Sequence, residues 1–204
     1  MTSEPDVRIL RAAGRPAEAW RNGGGVTRQI AAAPRAPSTG SAAGDFVWRV
    51  SLAEVAADGP FSGFPGVDRT LTLAEGAGMD LTVDGVRRLV DERFAPQRFP
   101  GDVATDCRLL DGPVVNFNVM YRRDAARAGV AVVRGDLALT VPPGTGGALL
   151  VVALAGEVSV EGASLGRGAR LGTYDALLAT GGEQGVLHLG AEGRAAVVRF
   201  TPAG

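Results

Sequence analysis

Apolar and polar residues alternate with a period of two along most of the chain, and helical periodicity is almost absent. On this pattern residues 7–10, 46–52, 79–83 and 114–121 read as strands. Further strands are expected at residues 130–134, 137–141, 148–160, 176–180, 186–189 and 195–200. Short strands broken by frequent glycine turns predict an all-β barrel or sandwich. Only residues 52–58 (Leu-Ala-Glu-Val-Ala-Ala-Asp) have a helix-forming composition, and Gly59-Pro60 stops such a helix within about two turns. Residues 34–44, rich in Ala, Pro, Ser and Gly, read as a mobile surface loop between two strands of one domain.

Alternation also assigns faces. In 46–52, Phe46, Trp48, Val50 and Leu52 share one side, while Val47, Arg49 and Ser51 share the other. In 114–122, Val114, Asn116, Asn118, Met120 and Arg122 lie opposite Val115, Phe117, Val119 and Tyr121. The polar sides have two readings. They face solvent, or they line an internal cavity on which Arg49, Ser51, Asn116 and Asn118 converge. An arginine in a cavity needs a partner, because an unpaired buried charge costs several kcal/mol. A ligand carboxylate and an internal Asp or Glu are the two candidates.

A faint repeat runs through the chain. Residues 78–85 (Gly-Met-Asp-Leu-Thr-Val-Asp-Gly) and 156–162 (Gly-Glu-Val-Ser-Val-Glu-Gly) share a scheme of Gly, alternating strand, acidic residue and Gly. Each is followed by another apolar strand and then an acidic turn, Pro100-Gly101-Asp102 in the first copy and Gly172-Thr173-Tyr174-Asp175 in the second. This is the rhythm of a cupin barrel, a small double-sheet jelly roll, though any hairpin with an Asp-Gly or Glu-Gly turn satisfies part of it. All aromatic residues but Tyr174 and Phe200 lie at or before Tyr121. A recognition pocket needs large rigid surfaces with placed polar groups, so the first half is the candidate for binding and the second half reads as scaffold.

Composition narrows the chemistry. With 204 residues, 46% of them hydrophobic, the chain can bury a core, and by length it falls between one large β domain and two small ones. The net charge is -1, and all 21 Lys+Arg residues are arginine. Without lysine there is no Schiff base, pyridoxal-phosphate attachment or phosphate-loop amine. Cys107 has no second cysteine to pair with and reads as a small buried hydrophobe. The N-terminus is polar, and the longest apolar run, residues 148–155, is too short to span a bilayer, so a cytoplasmic protein that binds no membrane is expected. Basic residues cluster only at Arg87-Arg88 and Arg122-Arg123, which argues against nucleic acid as a partner.

Metal cupins usually gather several histidines and a carboxylate on inward-facing strands. Here His188 is the only histidine, and no Asp/Glu cluster has ligand spacing, so no metal and no other cofactor is expected. A hydrolase triad fails on the same inventory. The run Trp20-Arg21-Asn22-Gly23-Gly24-Gly25-Val26-Thr27 lacks the Lys-Ser/Thr of a phosphate loop and leads into a strand rather than a helix. It reads either as a tight left-handed turn or as a place where backbone approaches a ligand or Trp20 closely.

Trp20 to Thr27, residues 46–55, residues 58–69, Phe99-Pro100-Gly101-Asp102 and Phe117-Asn118-Val119-Met120 together resemble the HutD/Ves family, in order over about the first 123 residues. The resemblance implies a bacterial bicupin of two fused cupin-like jelly-roll barrels, all-β with few short helices. The expected division is residues 1–123, carrying the motifs and the pocket, and residues 124–204, mainly scaffold. It also implies association with histidine utilisation: binding of a small carboxylate such as urocanate or formylglutamate, and tempering of the pathway without catalysis. The pocket positions carried over are Asn22, Thr27, Arg49, Ser51, Phe61, Ser62, Arg69, Asn118 and Met120. Asn116 stands where the family is expected to have an acidic residue, which puts an acid-base role there in doubt. From the residues alone, Phe61 and Ser62 also read as turn and barrel-plug chemistry, and Arg69 as a partner of Asp68 or Asp58. The competing class is a metal-free isomerase or epimerase acting on a small carboxylate, which needs an acid-base pair near neutral pH. A third is an interaction module, since exposed edge strands would let a second copy pair into a homodimer.

Overall fold

The structure, a computed structural model, describes residues 5–35, 46–162, 165, 167–181 and 185–204. In chain order the strands are β1 (Asp6–Leu10), β2 (Glu18–Ala19), β3 (Gly25–Pro34), β4 (Phe46–Val55), β5 (Gly59–Pro60), β6 (Val67–Glu75), β7 (Met79–Val83), β8 (Val86–Val90), β9 (Pro96–Pro100), β10 (Thr105–Leu109), β11 (Val114–Arg122), β12 (Ala126–Thr140), β13 (Ala148–Ala155), β14 (Val158–Glu161), β15 (Ala169–Leu171), β16 (Ala176–Thr180) and β17 (Val186–Pro202). The described residues contain no α-helix, and no helix is long and apolar enough to cross a membrane. The helix expected at 52–58 is not formed. Residues 52–55 finish β4, where Ala53 pairs with Thr27 on one side and Asn116 on the other. A strand hydrogen-bonded along both edges outweighs a local helix preference worth tenths of a kcal/mol per residue. Of the loop expected at 34–44, only Pro34 and Arg35 are described; the rest lies outside the described residues.

The chain forms two compact units, one of Arg15–Ala126 and one that joins Met1–Gly14 to Arg127–Gly204. The second boundary lies close to the one read from the sequence. The first does not follow that reading, because β1 pairs antiparallel with β16 and so belongs with the C-terminal strands.

In the Arg15–Ala126 unit a six-stranded sheet, β2-β3-β4-β11-β6-β9, packs on a four-stranded one, β5-β10-β7-β8. Val55, Leu71, Leu73 and Phe99 from the larger sheet meet Met79, Leu81, Val90 and Cys107 from the smaller in one apolar core. Cys107 is the buried hydrophobe it reads as, and burial pushes its thiol up to about 11. The β7–β8 hairpin turns on Asp84-Gly85, both at positive φ (49° and 74°), as the right-handed strand twist demands of a two-residue turn. It matches the first copy of the repeat, and the β14–β15 pair matches the second.

The other unit is a seven-stranded sheet in the order β1-β16-β13-β17-β14-β15, with β12 also on β17. Residues 188–191 of β17 pair with β14, and residues 194–200 pair with β13. The crossing is tight: a Cβ on Gly193 would lie 1.8 Å from the Ala155 carbonyl oxygen, so only glycine fits. The buried cluster inside this unit is wholly aliphatic, with Leu139, Val151, Leu171, Leu177, Leu189 and Val197 among its members. Asp175 ties down the segment after β1, accepting bonds from the Ala12 amide (2.7 Å), Arg11 Nη1 (2.7 Å) and the Gly172 amide (3.3 Å). Burial opposes its charge, but the Ala12, Arg11 and Gly172 bonds outweigh that and hold the carboxyl below its ordinary value. Its contribution is therefore full above the unfolded value near 4 and fades as pH falls through the lower folded value. Replacing Asp175 with Ala is expected to cost about 1–3 kcal/mol at pH 7 in denaturant titrations, with the gap to wild type narrowing below about pH 4.

Candidate functional site

Antiparallel pairing writes the inner face of the larger sheet in the Arg15–Ala126 unit as rows. Ala32, Arg49, Met120, Arg69 and Phe99 sit side by side on β3, β4, β11, β6 and β9. One step along the strands come Gln29, Ser51, Asn118, Leu71 and Gln97, and the next step brings Thr27, Ala53, Asn116 and Leu73. Side chains two residues apart share a face, so these rows look to the same side. The face is graded, apolar toward Leu73, Val55 and Val114 and polar toward the arginines.

At the polar end Arg69 is 8% exposed, Ser51 3%, Asn118 5% and Asn116 0%. Arg49 is half-buried. Neighbouring strands lie about 4.8 Å apart, so the Arg49 and Arg69 backbones, with Met120 between them, are separated by roughly 10 Å. The two guanidinium carbons close on one ring, each 5.7 Å from the Phe64 centroid. Phe46 flanks Arg49 at 5.3 Å, and Phe61 and Phe99 flank Arg69 at 5.0 and 5.3 Å. The weak acceptor Met120 Sδ lies 3.6 Å from Arg49 Nη2. Each ring contact contributes about 0.5–2 kcal/mol toward holding a cation, but none cancels its charge.

Among the described residues no carboxylate comes within 4.0 Å of either guanidinium, and both Nε atoms are buried without a hydrogen-bond partner. Asp68 and Asp58, the sequence candidates for Arg69, are used elsewhere. Asp68 lies on the opposite face and accepts from Arg123 (2.8 Å), Arg98 (3.1 Å) and Tyr121 (3.1 Å), with Arg123 also gripping Asp102. Asp58 accepts from the Leu109 amide at 2.8 Å. Desolvation accordingly lowers both arginines. Arg49 is lowered by burial, partly offset by Glu18; Arg69 is lowered to about 10 by burial and by the charge of Arg49. Both remain charged at neutral pH. The buried amide oxygens of Asn116 and Asn118 also lack donors among the described residues, and Asn116 Nδ2 has only Met79 Sδ at 3.7 Å.

The sequence candidates divide. Arg49, Ser51, Arg69, Asn118 and Met120 share this face, and Phe61 walls it. Thr27 is on the face but engaged, its Oγ1 accepting from Trp20 Nε1 at 2.8 Å. Asn22 is exposed and closes its own turn, Oδ1 accepting from the Gly24 amide at 3.1 Å. Ser62 is exposed in the segment between β5 and β6. Both readings of the glycine run apply to different residues. Gly23 takes the left-handed turn at φ 71°, and Gly25 allows close approach, since a Cβ there would lie 2.2 Å from the Glu54 carbonyl oxygen and 3.2 Å from the Trp20 ring. Trp20 then meets Phe61 edge-on at 6.5 Å, so the run supports the wall of the site.

Sequence reasoning missed Phe46, Phe64 and Phe99. Alternation places Phe46 on the side of Trp48, but its ring packs with Met120, Val67 and Phe64 because pairing shifts by one residue beside it, between Ala33 and Pro34. Phe64 and Phe99 lie in the quoted motifs but outside any alternation that could assign them a face. Gly101 clasps them to the arginine: its amide donates to the Val67 carbonyl (2.7 Å), its carbonyl accepts from the Phe64 amide (2.7 Å), and a Cβ there would press the Arg69 stem at 3.3 Å.

The family model for HutD matches residues 12–198, which include every residue of this face. The chain belongs to the HutD family. A Pseudomonas putida relative, described as an uncharacterized 21.2 kDa protein in the hutC 3' region, is 33% identical over 195 residues, covering 95% of this chain and 97% of its own. Protein Ves of Citrobacter koseri is 38% identical over 140 residues, covering 67% of this chain and 68% of its own. The solved structure of HutD from Pseudomonas fluorescens SBW25 (formate condition) superposes with a TM-score of 0.81 at 31% identity, covering 98% of this chain and 100% of that one. HutD membership links the chain to the histidine-utilisation region.

A buried cation without a counter-charge weakens the fold that carries it. The penalty on Arg69 is complete below about pH 10, where the folded-state group is charged, and eases as pH rises toward its unfolded value. Arg69→Met, which keeps the volume and removes the charge, is expected to raise the stability of the ligand-free protein at pH 7 by about 1–3 kcal/mol in denaturant titrations.

Proposed function

We propose that this HutD-family chain binds a small organic acid on the inner face of its Arg15–Ala126 unit and tempers histidine catabolism without catalysing a step of it. One observation carries the reading: Arg49 and Arg69 share a row of that face and a ring, with no carboxylate partner among the described residues. A carboxylate accepts charge-assisted bonds from guanidinium groups in a fixed fork geometry, each contributing about 1.5–3 kcal/mol. Ser51 and Asn118, one step away, offer hydrogen bonds to the rest of the molecule, and the phenylalanines give it apolar walls.

Cationic and amide groups attract an anion and repel a metal ion, which favours binding without metal or other cofactor. Acid-base catalysis would need a titrating group in contact with the ligand, and the side chains gathered here are arginine, serine, asparagine and methionine. Urocanate and formylglutamate, small carboxylates of histidine breakdown, are the ligands this reading names. HutD from Pseudomonas fluorescens SBW25 was solved in a formate condition, and formate is the simplest member of the class. The reading extends to two fused cupin-like jelly-roll barrels working in the cytoplasm of a bacterium. The antiparallel two-sheet build of the Arg15–Ala126 unit supports the first barrel, and the seven-stranded sheet, on which β17 pairs with both β13 and β14, supports the second.

Calorimetric titration with formate, urocanate and formylglutamate tests it. Saturable uptake of at least one acid is expected, weakened roughly 10-fold or more by Arg49→Ala and by Arg69→Ala. No uptake of any of the three, or uptake indifferent to both substitutions, overturns the proposal.

A further inference from the structure

Several of the carboxylates described in the Arg15–Ala126 unit are held by other partners. Asp68 and Asp102 hold Arg123, Glu54 binds Arg28 at 2.8 Å, Asp80 binds Arg87 at 2.5 Å, and Asp58 caps the Leu109 amide. Glu18 differs. It lies on the edge strand β2, directly opposite Thr27, and paired residues of antiparallel strands point to the same side. Thr27 belongs to the row of Ala53 and Asn116, on the face of the arginines. Trp20, two residues on from Glu18, confirms the direction: its indole bonds Thr27 and its ring packs against Phe61, which covers Arg69. Glu18 is exposed at the rim of this face, and its negative charge favours the charged form of Arg49 across it.

From this placement we infer that Glu18 sets the ligand's charge, making the site selective for a singly charged acid over a doubly charged one. This rests on the reading of the face as an acid-binding site, and of the two acids named there it favours urocanate, with one carboxylate, over formylglutamate, with two. Arg49 and Arg69 bring two positive charges, Glu18 brings one negative, and a single carboxylate completes neutrality. A second carboxylate, extending from the arginine row along the strands, would run toward Glu18 and meet repulsion. A neutral tail meets none, and one bearing an N–H donor gains an acceptor.

The probes are butyrate and succinate, four-carbon acids that differ by one carboxylate, titrated at pH 8 where both are fully ionised. Wild type is expected to bind butyrate more tightly than succinate. Glu18→Gln should shift the ratio toward succinate by roughly 2- to 15-fold, the range for unit charges about 10 Å apart between water-like and protein-surface screening. The shift should shrink as salt rises toward 1 M. An unchanged ratio, with both acids bound and both lost in Arg69→Ala, overturns the role of Glu18 and leaves the acid site standing. If wild type takes up neither acid, nor any of the acids used to test the site, the site itself falls and this inference with it.

Discussion

Two guanidinium groups share one face of a sheet, held close by a common phenylalanine, and the fold around them is arranged to tolerate the charge without cancelling it. Like charges in a poorly hydrated setting repel, and each loses hydration, so the arrangement persists only if packing over-determines both side chains. The sheet supplies that rigidity. Met120 fixes the spacing between Arg49 and Arg69 through the β4-β11-β6 ladder, and no rotation of one strand can relieve the pair without breaking pairing on both sides. The four phenylalanines attract the cations through their ring faces while keeping water away, which strengthens the field an incoming anion feels.

The face itself was legible in the sequence because strand alternation is a property of neighbours. Arg49 and Ser51 against Trp48 and Val50, and Asn118 and Met120 against Phe117 and Val119, could be sorted by period alone, and the ladder keeps that sorting. Whether the polar side was wet or enclosed was not legible, since that depends on how a second sheet packs, and the repeat at 78–85 with the apolar strand after it shows β7 and β8 but not what they cover. β6 escaped notice. Its Thr-Leu-Thr-Leu core alternates well, but the arginine at its head reads from the residues alone as an ion-pair partner of Asp68 or Asp58. The phenylalanine wall was hidden for a further reason: Phe46 acts after a register shift, and Phe64 acts from a loop, so neither obeys the period that reveals strands. The helix at 52–58 failed because local composition cannot report that both edges of a strand are already paired.

The two units put similar strand patterns to different uses. In the unit joining Met1–Gly14 to Arg127–Gly204, the buried cluster is aliphatic throughout, as the Val, Leu and Ala content of that stretch implies. Its single histidine, His188, is exposed on β17. In the Arg15–Ala126 unit the apolar core gives way along each strand to polar groups. A β-strand permits this gradient at low cost, because every second residue advances the same face by about 6.5 Å while the backbone pairing stays unchanged. Val55, Ala53, Ser51 and Arg49 run from core to charge on one strand, and Val114, Asn116, Asn118 and Met120 accompany them on the next.

The acid binding proposed for this face would carry its own driving force. The desolvation borne by Arg69 and the missing hydrogen bonds at Arg49 Nε, Arg69 Nε and the Asn118 amide oxygen weaken the fold, while the backbone and ring contacts that aim these groups are already in place. A ligand entering such a site loses its own hydration but induces little ordering in the protein, so more of the contact energy is left as affinity. The converse holds for specificity. Because the guanidinium positions are fixed by strand register rather than by flexible loops, an acid with the wrong span cannot be accommodated by small adjustments, and charge at the far end of the face becomes the remaining variable by which ligands are told apart.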